Sequence, residues 1–192
     1  MNYRSCNKAA QLARGKHDTQ LSWKGTSKAR VLRATCSPCT TANEIRTFHS
    51  LAPEKSQVYV NWGCGAWNST VDQLRANGWN VWGYEPSAET ASQFVATAKA
   101  ALPTAIAGIF SNNVIEHFVD PVAQFREFHA ILPPGAKMAH SSPCYEYRYE
   151  FTRFHTYFPV GRSTEALAER TGFRVIDRVE DGEYINVVFE RL

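Results

Sequence analysis

The stretch that decides the fold is residues 58–85, which read VYVNWGCGAWNSTVDQLRANGWNVWGYE. An apolar run at its start leads into a glycine turn at 63–65, and a segment compatible with a helix follows at about 69–77. A second apolar run, 81–84, ends in the single acid Glu85. Strand, tight turn, helix, strand and acid form the layout of a nucleoside-binding βαβ unit.

The turn and the acid carry the chemistry of this unit. Gly63 and Gly65 let the backbone come close to a ligand, because a Cβ at either position would collide with it. The backbone N–H groups that open the next helix face the same place. Glu85 stands 20 residues after Gly65, at the expected tip of the second strand. A carboxylate there can accept hydrogen bonds from both hydroxyls of a ribose.

Beyond this unit, strand and helix patterns continue to alternate. The predicted strands are 57–61, 80–84, 106–111 and 136–140, and the predicted helices are 69–77, 87–101, 120–132 and 163–171. Two last apolar runs, 173–178 and 184–189, are separated by a turn signal and predict a hairpin. We therefore expect a Rossmann-like, doubly wound α/β fold with a mostly parallel sheet and a terminal antiparallel hairpin. A ligand is expected at the carboxyl ends of the strands.

The N-terminal part of the chain differs in composition from the rest. Residues 1–56 predict a basic, partly irregular extension, and residues 57–192 predict one domain. Residues 1–57 hold ten Lys/Arg and three Asp/Glu, a net charge of +7, whereas the remainder holds eleven against fifteen, a net charge of −4. Such an extension could bind nucleic acid or could be a solvated arm. Short helices are predicted at 5–14 and 41–51.

Composition restricts the class of protein. The chain has 192 residues, of which 44% are hydrophobic and 20% charged, as in soluble globular proteins. No apolar stretch approaches the ~20 residues that span a bilayer, so we expect no membrane partner and a cytoplasmic location. The five cysteines are unevenly spaced, which disfavours a disulfide scaffold. Cys36 and Cys39, with Cys6 and a histidine, lack the second close pair that a zinc site requires, so no metal is predicted.

Four stretches in the expected order resemble the class I S-adenosylmethionine (SAM)-dependent methyltransferases. They are VYVNWGCG at 58–65, VWGYEPS at 81–87, IFSNNVIEHFVDP at 109–121 and ILPPG at 131–135. The Glu116-His117 pair is typical of a large subgroup that acts on small molecules. The later run HTYF at 155–158 also occurs in that subgroup, and the resemblance spans about residues 57–178.

The resemblance implies methyl transfer from SAM and assigns a cofactor site. The residues it implies are Asn61, Gly63, Cys64, Gly65, Glu85, Asn112 and Asn113. The glycines would let the backbone contact the methionine portion of SAM, and Glu85 would hold the ribose hydroxyls. Asn112 and Asn113 would border the sulfonium and the methyl acceptor.

Three features of the chain differ from the family it resembles. Asn61 stands where the family usually has an acid that helps to orient the amino group of SAM. Trp67 stands in place of a common third glycine. Only 24 residues separate Glu85 from Ile109, an interval that usually holds a third strand and an adenine-binding acid. A non-catalytic protein that keeps the fold therefore stays an alternative.

His117 and His155 are the candidate catalytic residues. Both are predicted near the carboxyl edge of the sheet, and an imidazole suits proton removal near neutral pH. Each could instead anchor the long aromatic loop 145–158, which we expect to be an acceptor-binding lid. With Glu116, the two histidines also resemble part of the divalent-metal site of small-RNA 2′-O-methyltransferases.

The sequence thus predicts a SAM-dependent methyltransferase that acts on a small-molecule acceptor. An RNA methyltransferase that uses the basic residues 1–35 remains an alternative.

Overall fold

A computed structural model describes residues 38–66, 69–146, 155–182 and 184–192. Within them, seven strands form one sheet: β1 (Val58–Trp62), β2 (Asn80–Tyr84), β3 (Val95–Ala96), β4 (Ile106–Asn112), β5 (Lys137–Ser141), β6 (Phe173–Asp181) and β7 (Tyr184–Arg191). Their order across the sheet is β3-β2-β1-β4-β5-β7-β6. Because β1 pairs in parallel with both β2 and β4, the winding reverses at β1. The predicted Rossmann-like sheet is confirmed.

The terminal hairpin enters the sheet in the predicted antiparallel sense. Phe189 on β7 pairs with Met138 on β5 and with Val175 on β6. The strand that comes later in the chain therefore lies inside the sheet, and β6 forms the edge. Six of the eight residues of β7 are buried, which fits a strand covered on both faces.

The described residues contain four α-helices, which cover both faces of the sheet. They are α1 (Pro38–Ser50), α2 (Ser69–Ala76), α3 (Pro121–Ile131) and α4 (Ser163–Thr171). On one face, Phe48 of α1 and Leu74 of α2 pack in one core cluster with Phe110 of β4. On the other face, Phe128 of α3 and Leu167 of α4 belong to a second core cluster.

The helix predicted over residues 87–101 is wrong. This segment contains β3 and a single 3-10 turn, Lys99–Ala101, instead. Strand β2 would otherwise end the sheet with unpaired backbone groups on its outer side. The Gly83 N–H donates to the Phe94 carbonyl (2.8 Å), and the Glu85 N–H donates to the Ala96 carbonyl (2.9 Å). The short interval after Glu85 therefore keeps a third strand.

Side-chain packing adds to the backbone pairing of this segment. The Phe94 ring meets Trp82 edge-on, with ring centroids 5.7 Å apart, and the Arg75 guanidinium lies 3.4 Å from the Phe94 ring centroid. The segment 87–101 holds six alanines, which favour a helix, so these contacts override the local helix propensity. Tertiary contacts decide its conformation.

Helix α1 belongs to the same folded unit as the sheet. Phe48 and Leu51 at its end are buried against Tyr59 and Phe110, and Asn186 of β7 donates to the Ser50 hydroxyl (3.0 Å). The sequence placed the start of the domain at residue 57, but the structure extends the packed unit back to α1.

Some predicted features lie outside the described residues. They are the helix at 5–14, the Cys6 and Cys36 thiols, the Trp67 ring and residues 147–154 of the aromatic loop. Among the helices that the structure does describe, none combines the length and the apolar character needed to cross a bilayer.

Candidate functional site

The glycine turn, residues 63–65, follows β1 at the carboxyl edge of the sheet. Gly63 and Gly65 have φ angles of +67° and +78°, in the left-handed region that favours glycine. The N–H groups of Gly63 and Cys64 donate to the Tyr84 carbonyl, over 2.8 and 3.2 Å. The end of β1 is therefore tied to the end of β2, directly beside Glu85.

Three hydrogen bonds fix the Glu85 carboxylate, and one of them comes from this turn. The Gly65 N–H donates to Oε2 (2.9 Å), and the Ser87 N–H and hydroxyl both donate to Oε1, the N–H over 2.9 Å. Only 9% of the residue is exposed. Because an ionised carboxylate has about four acceptor positions, these three bonds leave one of them, on Oε2, for a ligand.

The Cys64 side chain packs inside the domain. A Cβ on Gly83 would lie 2.6 Å from the Cys64 sulfur, so the thiol fills the space that glycine leaves. Burial, together with the negative charges of Glu85 and Glu44, raises the pKa of Cys64 to about 12. A thiol that stays protonated is not a nucleophile, and Cys64 serves the turn through its backbone.

Asn61, at the end of β1, is fully buried and binds an acid from α1. Its Nδ2 donates to Oε2 of Glu44 over 3.1 Å. Glu44 is itself only 5% exposed. A carboxylate thus lies next to the end of β1 although the strand itself carries an amide there.

Two asparagines end β4, and the structure gives them different surroundings. Asn112 is buried, and its Oδ1 accepts a hydrogen bond from the Ser141 hydroxyl (2.8 Å), which in turn accepts one from Thr47 of α1 (2.7 Å). Asn113 has a φ of +56° and an exposed side chain. Its N–H donates to the Ser141 carbonyl (2.8 Å). Asn112 is anchored to the interior, whereas Asn113 presents its side chain at the edge of the sheet.

Beyond β4, the structure brings together three side chains that we call the Glu-His cluster: Glu116, His117 and His155. Their ligand atoms all lie within 4.8 Å of one another, and the two imidazole centroids are 5.1 Å apart. The N–H groups of Thr156 and Tyr157 donate to the Glu116 carbonyl, over 2.8 and 3.2 Å. These bonds dock the later histidine onto the 3-10 turn Ile115–His117.

The electrostatics of the cluster centre on a buried acid. Burial raises the pKa of Glu116, and the effect is opposed by its own backbone N–H, the Ser142 hydroxyl and both imidazoles. Cys144 contacts the cluster, with its sulfur 3.6 Å from Nδ1 of His155. Burial raises the pKa of Cys144 to about 11, so this thiol is protonated at neutral pH and does not form a thiolate–imidazolium pair.

A family model described as "Methyltransferase domain" matches residues 40–178. The chain belongs to this methyltransferase family. The match begins in α1 and ends in β6, so it covers both the glycine turn and the Glu-His cluster. Among curated proteins, no sequence matches this chain.

Solved methyltransferase structures share the fold at low sequence identity. Geranyl diphosphate C-methyltransferase from Streptomyces coelicolor A3(2) superposes with a TM-score of 0.61 at 15% identity, covering 79% of each chain. A SAM-dependent methyltransferase from Aquifex aeolicus gives 0.60 at 16% identity, covering 78% of this chain and 89% of its own. One from Mesorhizobium loti gives 0.59 at 16% identity, covering 78% and 98%.

In this methyltransferase domain, the predicted residues fall into two groups. Asn61, residues 63–65 and Glu85 adjoin one another around the ends of β1 and β2. His117 and His155 face each other beyond β4. Their roles stay predictions.

Sequence reasoning missed Glu44, although a signal for it existed. It lies on the predicted helix 41–51, and Phe48 and Leu51 follow it at spacings of four and seven residues. These spacings place all three on one helix face, so the sequence shows an acid on the apolar face of α1. A buried acid on such a face requires hydrogen bonds that offset its loss of water, and Asn61 supplies one of them.

Two further histidines, His140 on β5 and His129 on α3, have structural surroundings. His140 is fully buried among phenylalanines, stacks on Phe128 with centroids 5.5 Å apart, and shares a hydrogen bond with the Ser111 hydroxyl (2.8 Å). Burial lowers its pKa to about 3, so it remains neutral. His129, on α3, accepts a hydrogen bond at Nε2 from the Nε–H of Arg191 on β7 (3.3 Å).

An open cavity of about 320 Å³ lies near the amino ends of β1 and β5, lined in part by Glu54, Tyr59 and Lys137. It is at the edge of the sheet opposite the glycine turn and takes no part in the site described above.

Proposed function

We propose that this chain is a SAM-dependent methyltransferase that acts on a small-molecule acceptor. The observation that carries the proposal is the Glu85 carboxylate, fixed beside a left-handed glycine turn at the switch point of the sheet. The family assignment supplies the reaction class, and this geometry supplies a place for an adenosyl group. The C-methyltransferase from Streptomyces coelicolor was solved with S-adenosyl-L-homocysteine, geranyl diphosphate and Mg²⁺.

The residues around the turn fit the cofactor. Glu85 Oε2 has room for one ribose hydroxyl, and Oε1 would accept the second when the Ser87 hydroxyl rotates away while its N–H keeps the carboxylate in place. At Gly65, a Cβ would meet no atom within 4 Å, so the backbone there borders open space in which a ligand can lie. SAM, when bound, supplies a methyl group on an activated sulfonium.

The protein's own part in the reaction is alignment and, for a hydroxyl acceptor, proton removal. His117 is exposed and His155 is half-buried, so an acceptor can reach the imidazole pair from solvent. We assign the proton acceptor to this pair. Asn113, also exposed at the end of β4, lies in the chain between the glycine turn and the pair and would border the acceptor.

Calorimetric titration with S-adenosylhomocysteine tests the proposal. The native chain should bind, and Glu85→Ala should weaken binding by at least about 100-fold, because two hydrogen bonds to a charged group are lost at about 1.5–3 kcal/mol each. Glu89→Ala is the matched control, since Glu89 is an exposed acid in the same loop. Absence of heat with the native chain at millimolar ligand would leave only a non-catalytic protein. Unchanged affinity in Glu85→Ala would remove Glu85 from the ribose site.

A second candidate function is methylation of RNA with a divalent metal at the Glu-His cluster. The observation that favours it is the convergence of one carboxylate and two imidazoles within 4.8 Å, a donor set that suits a transition metal. Among the described residues, Oε2 of Glu116 is a buried atom with no hydrogen-bond partner, as a ligand atom for a metal would be. The net charge of +7 over residues 1–57 would add affinity for phosphates.

Two measurements separate this candidate from the first. Titration with Mn²⁺ should give binding that His117→Ala and His155→Ala both remove if the cluster holds a metal. Replacing Lys24, Lys28, Arg30 and Arg33 by glutamine in the full chain should weaken RNA binding and flatten its salt dependence. A chain that binds neither Mn²⁺ nor RNA would refute this second candidate.

A further inference from the structure

The open cavity at the amino edge of the sheet lies between two walls that hydrogen bonds hold in place. One wall is the segment that joins α1 to β1, where the Tyr59 hydroxyl accepts from the Glu54 N–H (2.8 Å) and donates to Oε1 of Gln57 (3.0 Å). The other wall is the turn before β5, where the Gly135 N–H donates to the Arg191 carbonyl (2.9 Å). The cavity is therefore preformed, and a ligand that enters it has little of the chain to order.

Between the walls, the sheet itself is irregular. The pairing of β1 with β4 shifts register between Val58 and Tyr59. The shift leaves Ala107 of β4 without a partner residue on β1, and Ala107 lines the cavity. A Cβ on Gly108 would lie 2.9 Å from Cδ1 of Tyr59, so this glycine makes room for the ring. Bulges of this kind are over-represented beside functional sites.

Two opposite charges line the cavity without neutralising each other. Lys137, the first residue of β5, is half-buried, and Glu54 on the other wall is exposed. Neither side chain forms an ion pair or a hydrogen bond with any residue that the structure describes. Because Oε1 of Gln57 accepts from Tyr59, the amide NH₂ of Gln57 adds a donor. A molecule of one charge is attracted by one wall and repelled by the other, whereas a zwitterion suits both.

The cavity is small and lies far from the edge of the sheet that carries the glycine turn. Its volume, about 320 Å³, is at the low end for small-molecule sites. Lys137 and Ser141 stand at the two ends of β5, and four residue steps of a strand span about 13 Å. A molecule of this size held at Lys137 does not reach the carboxyl edge, so it is not the methyl acceptor.

We propose that this cavity binds a small zwitterion, a molecule with one carboxylate and one ammonium group, between Lys137 and Glu54. The Lys137 ammonium and the Gln57 amide hold the carboxylate, and the Glu54 carboxylate holds the ammonium. This inference goes beyond the proposed function, because the cavity shares no residue with the proposed cofactor site or with the Glu-His cluster.

Amide shifts in ¹H–¹⁵N correlation spectra of the full chain test the proposal. Glycine, 4-aminobutyrate and 6-aminohexanoate are the probes, because they carry the same two groups at increasing separation. At least one of them should shift the amides of Ala107 and Gly135 at millimolar concentration and leave those of Gly63 and Gly65 unchanged. Butyrate and butylamine each keep one of the two charges and should bind at least about 10-fold more weakly.

Exchanging the two charges makes the test specific. Glu54→Lys and Lys137→Glu each give both walls the same charge, so each should weaken binding by about 10-fold or more. The double variant again has one charge of each sign and should recover most of the affinity, with the ligand reversed. Lys55→Glu is the matched control, because Lys55 is an exposed lysine of the same segment whose ammonium binds the Asn77 carbonyl (3.1 Å). Thermal unfolding of each variant shows whether the fold is intact.

Other outcomes overturn the inference. No amide shift with any of the three zwitterions at tens of millimolar would show that the cavity is not a site for them. Equal binding of butyrate, butylamine and the zwitterions would reduce the contacts to adventitious ones. Shifts centred on Gly63 and Gly65 would place the ligand at the opposite edge of the sheet. A double variant that binds no better than the single variants would remove Glu54 and Lys137 as a pair.

Discussion

Replacing Gly63 with alanine should destabilise the domain through two separable effects. The φ of +67° places an alanine in the left-handed region, at a cost of about 1–2 kcal/mol. The new Cβ would also lie 2.8 and 2.9 Å from the two Cγ atoms of Val114, closer than van der Waals contact. Overpacking of this kind costs about 1–3 kcal/mol. The expected loss in the free energy of unfolding is therefore about 2–5 kcal/mol.

A double-mutant cycle separates the two effects. Val114→Ala removes both clashing methyl groups. In the Val114→Ala background, Gly63→Ala should therefore cost about 1–3 kcal/mol less free energy of unfolding than in the native chain, while the backbone cost remains. Gly135→Ala is the control for the backbone term alone, because Gly135 has a φ of +78° and a Cβ there would meet no atom within 4 Å. Urea unfolding followed by circular dichroism gives each free energy. A coupling near zero, or a cost for Gly63→Ala no larger than that for Gly135→Ala, would refute the packing of Val114 against the turn.

Three further predictions concern protonation and helix capping. Since burial lowers the pKa of His140 to about 3, the unfolded chain binds a proton below pH 6.5 that the folded chain does not. The stability that neutral His140 contributes is complete above that pH and is lost as the pH falls. Between about pH 5.5 and 4, the free energy of unfolding of the native chain should therefore fall by about 1.4 kcal/mol per pH unit more than that of His140→Gln. Parallel pH profiles for the two chains would contradict this. Cys64 and Cys144, with pKa values raised to about 12 and 11, should resist iodoacetamide at pH 8 until urea unfolds the chain. Peptide mass spectrometry measures this labelling, and rapid labelling of either thiol in the folded state would contradict its burial. Asp120 caps α3 by accepting from the Ala123 N–H (2.9 Å), so Asp120→Ala should lower the free energy of unfolding by about 1 kcal/mol in urea, and Asp120→Asn should lose much less.

Features that depend on neighbours in the chain could be predicted from the sequence. Gly63, Gly65 and Glu85 belong to one strand–turn–helix–strand unit, and the order of residue types within 28 positions was enough to place them together. The helix start at Asp120 and the helix end at Gly172, whose φ is +81°, depend on single residues with strong local preferences.

Features that depend on distant parts of the chain could not be predicted. Strand β3 forms because the outer side of β2 needs backbone partners. The residue pattern of 87–101 does not indicate this pairing. Glu44 lies next to Asn61 only because α1 packs against the sheet, and the Thr47–Ser141 bond that helps to hold this helix joins residues 94 positions apart. The sequence pattern predicts helix α1 but not the part of the sheet against which it packs.

The position of β7 between β5 and β6 has a consequence for synthesis. Of the described strands it is the last to leave the ribosome, yet it pairs on both sides. Until it emerges, a nascent chain presents β5 as an open edge whose unpaired N–H and C=O groups can recruit another polypeptide. Holdase chaperones that act on unfinished chains would therefore find their binding surface at β5, and this surface disappears when residues 184–191 dock.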